Sequence, residues 1–108
     1  MKVAVLTINT SRGQLDDIDH EVVDIDGPLW PWARQQASWA RQEASSYMRE
    51  FHSPACKIPG GGYSYAAGED RMVAIVPEGH PAFGLDYANL ANWNEAEVDD
   101  MLKMIGEG

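Results

Sequence analysis

Few side chains in this sequence have the types and spacing that chemistry needs. His52 and Cys56 stand four apart, and His80 follows Glu78 by two. A His-x3-Cys pair supplies two soft metal ligands, but structural zinc motifs carry paired ligands at short spacing, such as C-x2-4-C. No such second pair accompanies it, so no metal and no cofactor is expected. Cys56 also has no base assigned to it by spacing, which leaves it without the partner a thiol nucleophile needs. His80 with Glu78 is the one acid–base combination that a loop could present to a substrate. Pro59-Gly60-Gly61-Gly62 lacks the Lys-Ser/Thr or spaced glycines of a phosphate loop and reads as a hinge between elements.

The stronger signal is charge. Asp16, Asp17, Asp19, Glu21, Asp24 and Asp26 place six acids within eleven residues, with no Lys or Arg among them. The spacing does not match a calcium loop, which needs D-x-[DN]-x-[DN]-G and a distal Glu. A second acidic group, Glu95, Glu97, Asp99 and Asp100, opens the last predicted helix, where carboxylates complement the helix dipole. The formal net charge is −9. Phosphate backbones repel such a surface, so direct nucleic-acid binding is not expected. The acids form either a solvated face or a surface complementary to a basic partner.

These residues are positioned by a predicted α+β fold, a mostly antiparallel four-stranded sheet with two helices in the order ββαββα. The alternation from Lys2 to Asn9 predicts a first strand, and HEVVDI, residues 20–25, a second. Thr10 to Gly13 begin a long loop between them. Asp26-Gly27-Pro28 turns the chain into a helix over 31–52. There Trp32-Ala33-Arg34-Gln35-Gln36-Ala37-Ser38 is almost repeated by Trp39-Ala40-Arg41-Gln42-Glu43-Ala44-Ser45. Extending that register gives a seam of Ala33, Ala37, Ala40, Ala44, Tyr47 and Phe51. Trp32 and Trp39 stack to one side of it, either as a second layer of core or as an exposed interface ridge. Residues 63–67 and 71–76 predict two further strands joined by Gly68-Glu69-Asp70, the second apolar on both faces and therefore central. An irregular connection, 77–92, leads to a last helix with Asn94 as N-cap, Glu97 completing a capping box, and Gly106 as terminator.

At 108 residues the chain is the size of one domain, 1–108, and it has no apolar run long enough to span a membrane. A lone cysteine fits a reducing compartment, and a cytoplasmic location is expected.

The stretch Val76-Pro77-Glu78-Gly79-His80-Pro81-Ala82-Phe83-Gly84-Leu85-Asp86-Tyr87 resembles a segment of uncharacterised small phage proteins that carry V-P-x-G-H-P-x-x-G-x-x-Y. Val76, Pro77, Gly79, His80, Pro81, Gly84 and Tyr87 match it. That family's His-Gly-Gly-Leu-Thr-Tyr run does not follow here; Gly61-Gly62-Tyr63-Ser64-Tyr65 echoes it on the other side. The resemblance implies a phage origin, hence a host-cell cytoplasm, and implies no activity. With the charge, it leads to the expectation of a non-enzymatic protein that binds and inhibits a host protein with a basic surface, such as a CRISPR-type defence component. Asp16, Asp17, Asp19, Glu21, Trp32 and Trp39 would make the contact. The alternatives are a small enzyme or ligand-binding domain using His80 and Glu78 on the 77–87 loop, and a phage assembly component that forms a homodimer through the 31–52 helix.

Overall fold

The computed structural model describes residues 1–106. Its first hairpin pairs β1 (Lys2–Ser11) with β2 (Gln14–Asp24), and only Arg12 and Gly13 lie between them. Both have positive φ, 53° and 79°, as a two-residue type I′ turn requires. The second strand is therefore six residues longer at its start than HEVVDI suggests, and no long loop precedes it. A bulge hides it from the sequence. Asn9 pairs with Asp17 but Thr10 pairs with Leu15, so Asp16 is an extra residue. Leu15 and Ile18 reach the same core at a spacing of three, which breaks the period of two by which a strand is read.

The sheet has five antiparallel strands in the order β2-β1-β5-β4-β3, with β3 at Cys56–Lys57, β4 at Tyr63–Gly68 and β5 at Arg71–Pro77. The α+β class stands, with one strand more than expected. β3 is only two residues long and lies between Pro54 and Pro59, too short for a periodic signal. β5 is central, and Val73, Ala74, Ile75 and Val76 are all buried.

Alternation along β1 and β5 builds a core on each side of the sheet. Val3, Val73 and Ile75 face α1 (Leu29–Glu43) together with Ile25 and Tyr65. Ala4, Leu6, Ile8, Ala74 and Val76 face α2 (Glu95–Met104), whose Met101 and the following Ile105 are almost fully buried. Ala33 and Ala37 are the buried positions of α1. Their small side chains let the helix backbone settle close to the sheet. No described helix is long and apolar enough to cross a membrane.

The helix expected over 31–52 ends nine residues early. Ala44 is already extended, at φ −72° and ψ 148°, and only a 3₁₀ turn, Arg49–Phe51, follows. Tyr47, assigned to the seam, is 74% exposed. The chain leaves the helix to reach the edge of β4. The Ser53 N–H donates to the Ala66 carbonyl, the Ala66 N–H donates to Ser53 Oγ at 2.7 Å, and His52 bridges Ala67. Sheet pairing outweighs the modest helix propensity of Ser45, Ser46 and Tyr47. The alanine seam is spent inside the chain, so Ala33 and Ala37 are not free to join two copies.

The last helix matches its sequence signals. Asn94 Oδ1 accepts from the Glu97 N–H at 2.8 Å, the Asn94 N–H reaches Glu97 Oε1 at 3.5 Å, and Gly106 ends it at φ 84°. A second 3₁₀ segment, Tyr87–Asn92, precedes it within the long connection.

Candidate functional site: an acidic edge strand and its surroundings

β2 lies at one edge of the sheet, and Asp16, Asp17, Asp19 and Glu21 on it are all exposed. The pairing of Val5 with Glu21, Thr7 with Asp19 and Asn9 with Asp17 puts these three acids in a ladder on the α1 side. Carboxylates two residues apart on a strand stand about 6.8 Å apart, so each makes the potential at the next more negative. Among the described residues one ion pair forms, between the terminal amine of Met1 and Asp24 at 3.2 Å. Arg71, beyond Asn9 on β5, donates to Asn9 Oδ1 at 2.9 Å and makes no ion pair with the ladder. Among the described residues, therefore, no ion pair neutralises Asp17, Asp19 or Glu21.

The fold joins the two acidic segments. A groove of roughly 830 Å³ is lined by Asp16 and Asp17 of the hairpin and by Glu95 and Asp99 of α2, with Tyr87 and Trp93 among its walls. The rings of His20, Tyr87 and Trp93 form a row beside it, with centroids 5.2 and 5.6 Å apart. Nothing in the sequence spacing links residues 16 and 95; only the packing of the 3₁₀ segment against β2 does.

The tryptophans part company. Trp32 is half-buried against the core that faces α1, because it precedes the buried Ala33 by one position. Trp39 is 50% exposed. Its companion is Trp30, which the heptad reading passed over. The two line a shallow cleft with Arg34, Gln35 and Ser38 on the outer side of α1, and Trp30 leans on Tyr63 at 4.9 Å. This cleft shares no lining residue with the acidic groove; Trp32 lines neither, and Asp19 and Glu21 stand on the ladder outside both. The signal for Trp30 was its place at the helix start, flanked by Leu29 and Pro31.

The 77–87 loop holds His80 in a structural role. The residue is buried, and the Ala82 N–H donates to its Nδ1 at 3.0 Å. Nε2 therefore carries the proton and donates to the Pro59 carbonyl at 2.8 Å. Both ring nitrogens are spent on backbone, which leaves none to take a proton from a substrate. Glu78 is exposed, and its backbone N–H donates to the Lys2 carbonyl. The glycine run connects β3 to β4 and does not lead out of a helix, and its first member, Gly60, packs against the His80 ring. A Cβ on Gly60 would stand 3.0 Å from His80 Nε2, and one on Gly62 would stand 2.5 Å from the Ile75 carbonyl oxygen. Tyr87 closes the loop by donating to the Ala82 carbonyl at 2.6 Å, and burial pushes its phenol up to about 12.

His52 and Cys56 are not brought to a shared centre. His52 Nδ1 lies 3.0 Å from the Met48 carbonyl, and Cys56 is exposed with its Sγ 3.7 Å from the Pro54 carbonyl. Among the described residues no group of three or more His, Cys, Asp or Glu side chains is placed to hold a metal ion. No protein-family model, curated protein or solved structure matches this chain.

Proposed function

We propose that this chain is a stoichiometric binding protein whose acidic hairpin engages a basic surface on a partner protein and blocks it. The observation that carries the reading is the exposed, internally unpaired run Asp16, Asp17, Asp19 and Glu21 on an edge strand. A surface of one sign steers a partner of the other sign and speeds its association. The partner class proposed is a host protein that handles nucleic acid, such as a CRISPR-type defence component, with the acids occupying its nucleic-acid groove. The likeness of residues 76–87 to small phage proteins supports that choice of partner. The groove that unites Asp16 and Asp17 with Glu95 and Asp99 widens the negative surface available to it. An enzymatic reading is not favoured, because both nitrogens of His80 are committed to backbone groups.

Capture of partners from host lysate by the wild-type chain and by D16N/D17N/D19N, at low and high salt, tests the proposal. The triple variant should associate more slowly and show a flatter salt dependence. At 1 M salt the Debye length is about 3 Å and the two proteins should converge. Trp39→Ala should speed dissociation of the same complex if the aromatic cleft adds a second contact. Unchanged association rates for D16N/D17N/D19N at low salt would reduce the acidic surface to a solvated face.

A further inference from the structure

The two edges of the sheet are built differently. The β3 edge is two residues long and lies between prolines, both devices that stop another strand from adding. The β2 edge runs eleven residues with no proline, and its bulge lies near its start, so residues 17–24 form an uninterrupted edge. Among the described residues no backbone group of β2 hydrogen-bonds outside the β1 pairing.

The direction of these free groups follows from the register. Met1 and Ile25 exchange both hydrogen bonds, at 2.8 and 2.9 Å. Narrow and wide pairs alternate, so Val23, Glu21, Asp19 and Asp17 also direct their backbone groups toward β1. Asp24, Val22, His20 and Ile18 then direct theirs outward. The donation of the Glu78 N–H to the Lys2 carbonyl agrees, since it turns the even residues of β1 toward β5. Four N–H and four C=O groups thus form a free template.

The side chains select what fits it. In an added antiparallel strand, residues opposite Asp17, Asp19 and Glu21 would sit at the non-hydrogen-bonded positions, where Cα atoms approach to about 4.5 Å and side chains meet most closely. A second copy of β2 would bring carboxylates against carboxylates there, which is destabilising. A strand with Lys or Arg at alternate positions would pair every one of them. We propose that β2 is a strand-addition site for a basic, extended segment of the partner protein, recognised by backbone pairing at Ile18, His20, Val22 and Asp24 and by the Asp17–Asp19–Glu21 ladder. This deepens, and rests on, the reading of the hairpin as a contact for a basic partner.

The probe is a capped ten-residue peptide of alternating Lys and Thr, whose lysines all project to one side when extended. Its binding at low salt should slow hydrogen exchange at the amides of Ile18, His20, Val22 and Asp24. Methylating the threonine nitrogens keeps all the charge but removes the donors that face β2, and should weaken binding at least about tenfold, the loss of one or more hydrogen bonds. Val22→Pro, which removes an outward donor and no ladder bond, should weaken the parent peptide similarly while preserving the fold. The methylated peptide needs no variant, so it decides even where Val22→Pro fails to fold. Equal affinity of the two peptides, no binding of the parent, or no protection at those four amides overturns strand addition. If the two peptides bind equally and D16N/D17N/D19N weakens both, the acidic surface still stands as a charge contact. If that variant weakens neither, the broader reading falls as well.

Discussion

Replacing His80 by Ala separates a structural from a chemical role for the buried imidazole of the 77–87 loop. The imidazole bridges two chain segments, accepting from the Ala82 N–H and donating to the Pro59 carbonyl. The first of these bonds is buried, so its loss leaves an orphaned donor worth about 2 kcal/mol. The second is partly buried, and water recovers some of it, leaving about 1 kcal/mol. Together these predict a loss near 3 kcal/mol, and a fall in Tm of roughly 12–24 °C for a domain of this size. Gly60→Ala should act on the same contact from the other side, since its Cβ would press on Nε2 and its φ of +82° strains any other residue. Thermal and urea unfolding followed by circular dichroism measure both. The two variants should be non-additive in combination, because they break one contact. A loss below about 1 kcal/mol for His80→Ala would refute the argument that the ring is held for structure.

Ala37→Leu should destabilise by about 1–3 kcal/mol, because a buried alanine sets the distance between α1 and the sheet; an unchanged urea midpoint would mean the helix sits further out. Trp39→Ala, by contrast, should leave stability within about 1 kcal/mol, since the residue is half exposed. Tyr87 gives an alkaline signature. Its phenol ionises near 10 in the unfolded chain and near 12 in the fold, so the stability it contributes is complete below pH 10 and is lost as pH rises toward 12. Tyr87→Phe should flatten that part of the stability–pH curve, and equal curves for both proteins would show that the hydroxyl is not sequestered.

Local signals were legible wherever one short segment decides its own structure. The capping box at Asn94, the terminator Gly106 and the two-sided apolar run of β5 each rest on residues a few positions apart, and each stands in the fold as the sequence implies. The acidic run was equally plain. What the sequence concealed were outcomes of competition and of distance. The heptad of α1 continues on paper to Phe51, yet pairing of Ser53 with Ala66 draws the chain away after Glu43. The bulge at Asp16 shifts the period of β2, so its first six residues look like loop. Trp32 and Trp39 occupy equivalent places in a repeat but differ in burial, because the sheet underlies only one part of the helix. That β2 is an edge follows from the order of five strands and from nothing within its own residues. The same holds for the groove joining Asp16 to Glu95 and for the seating of His80 against Pro59. Charge and helix caps are properties of neighbouring residues. Exposure, edges and clefts depend on which distant segments bury one another, and those only the tertiary structure decides.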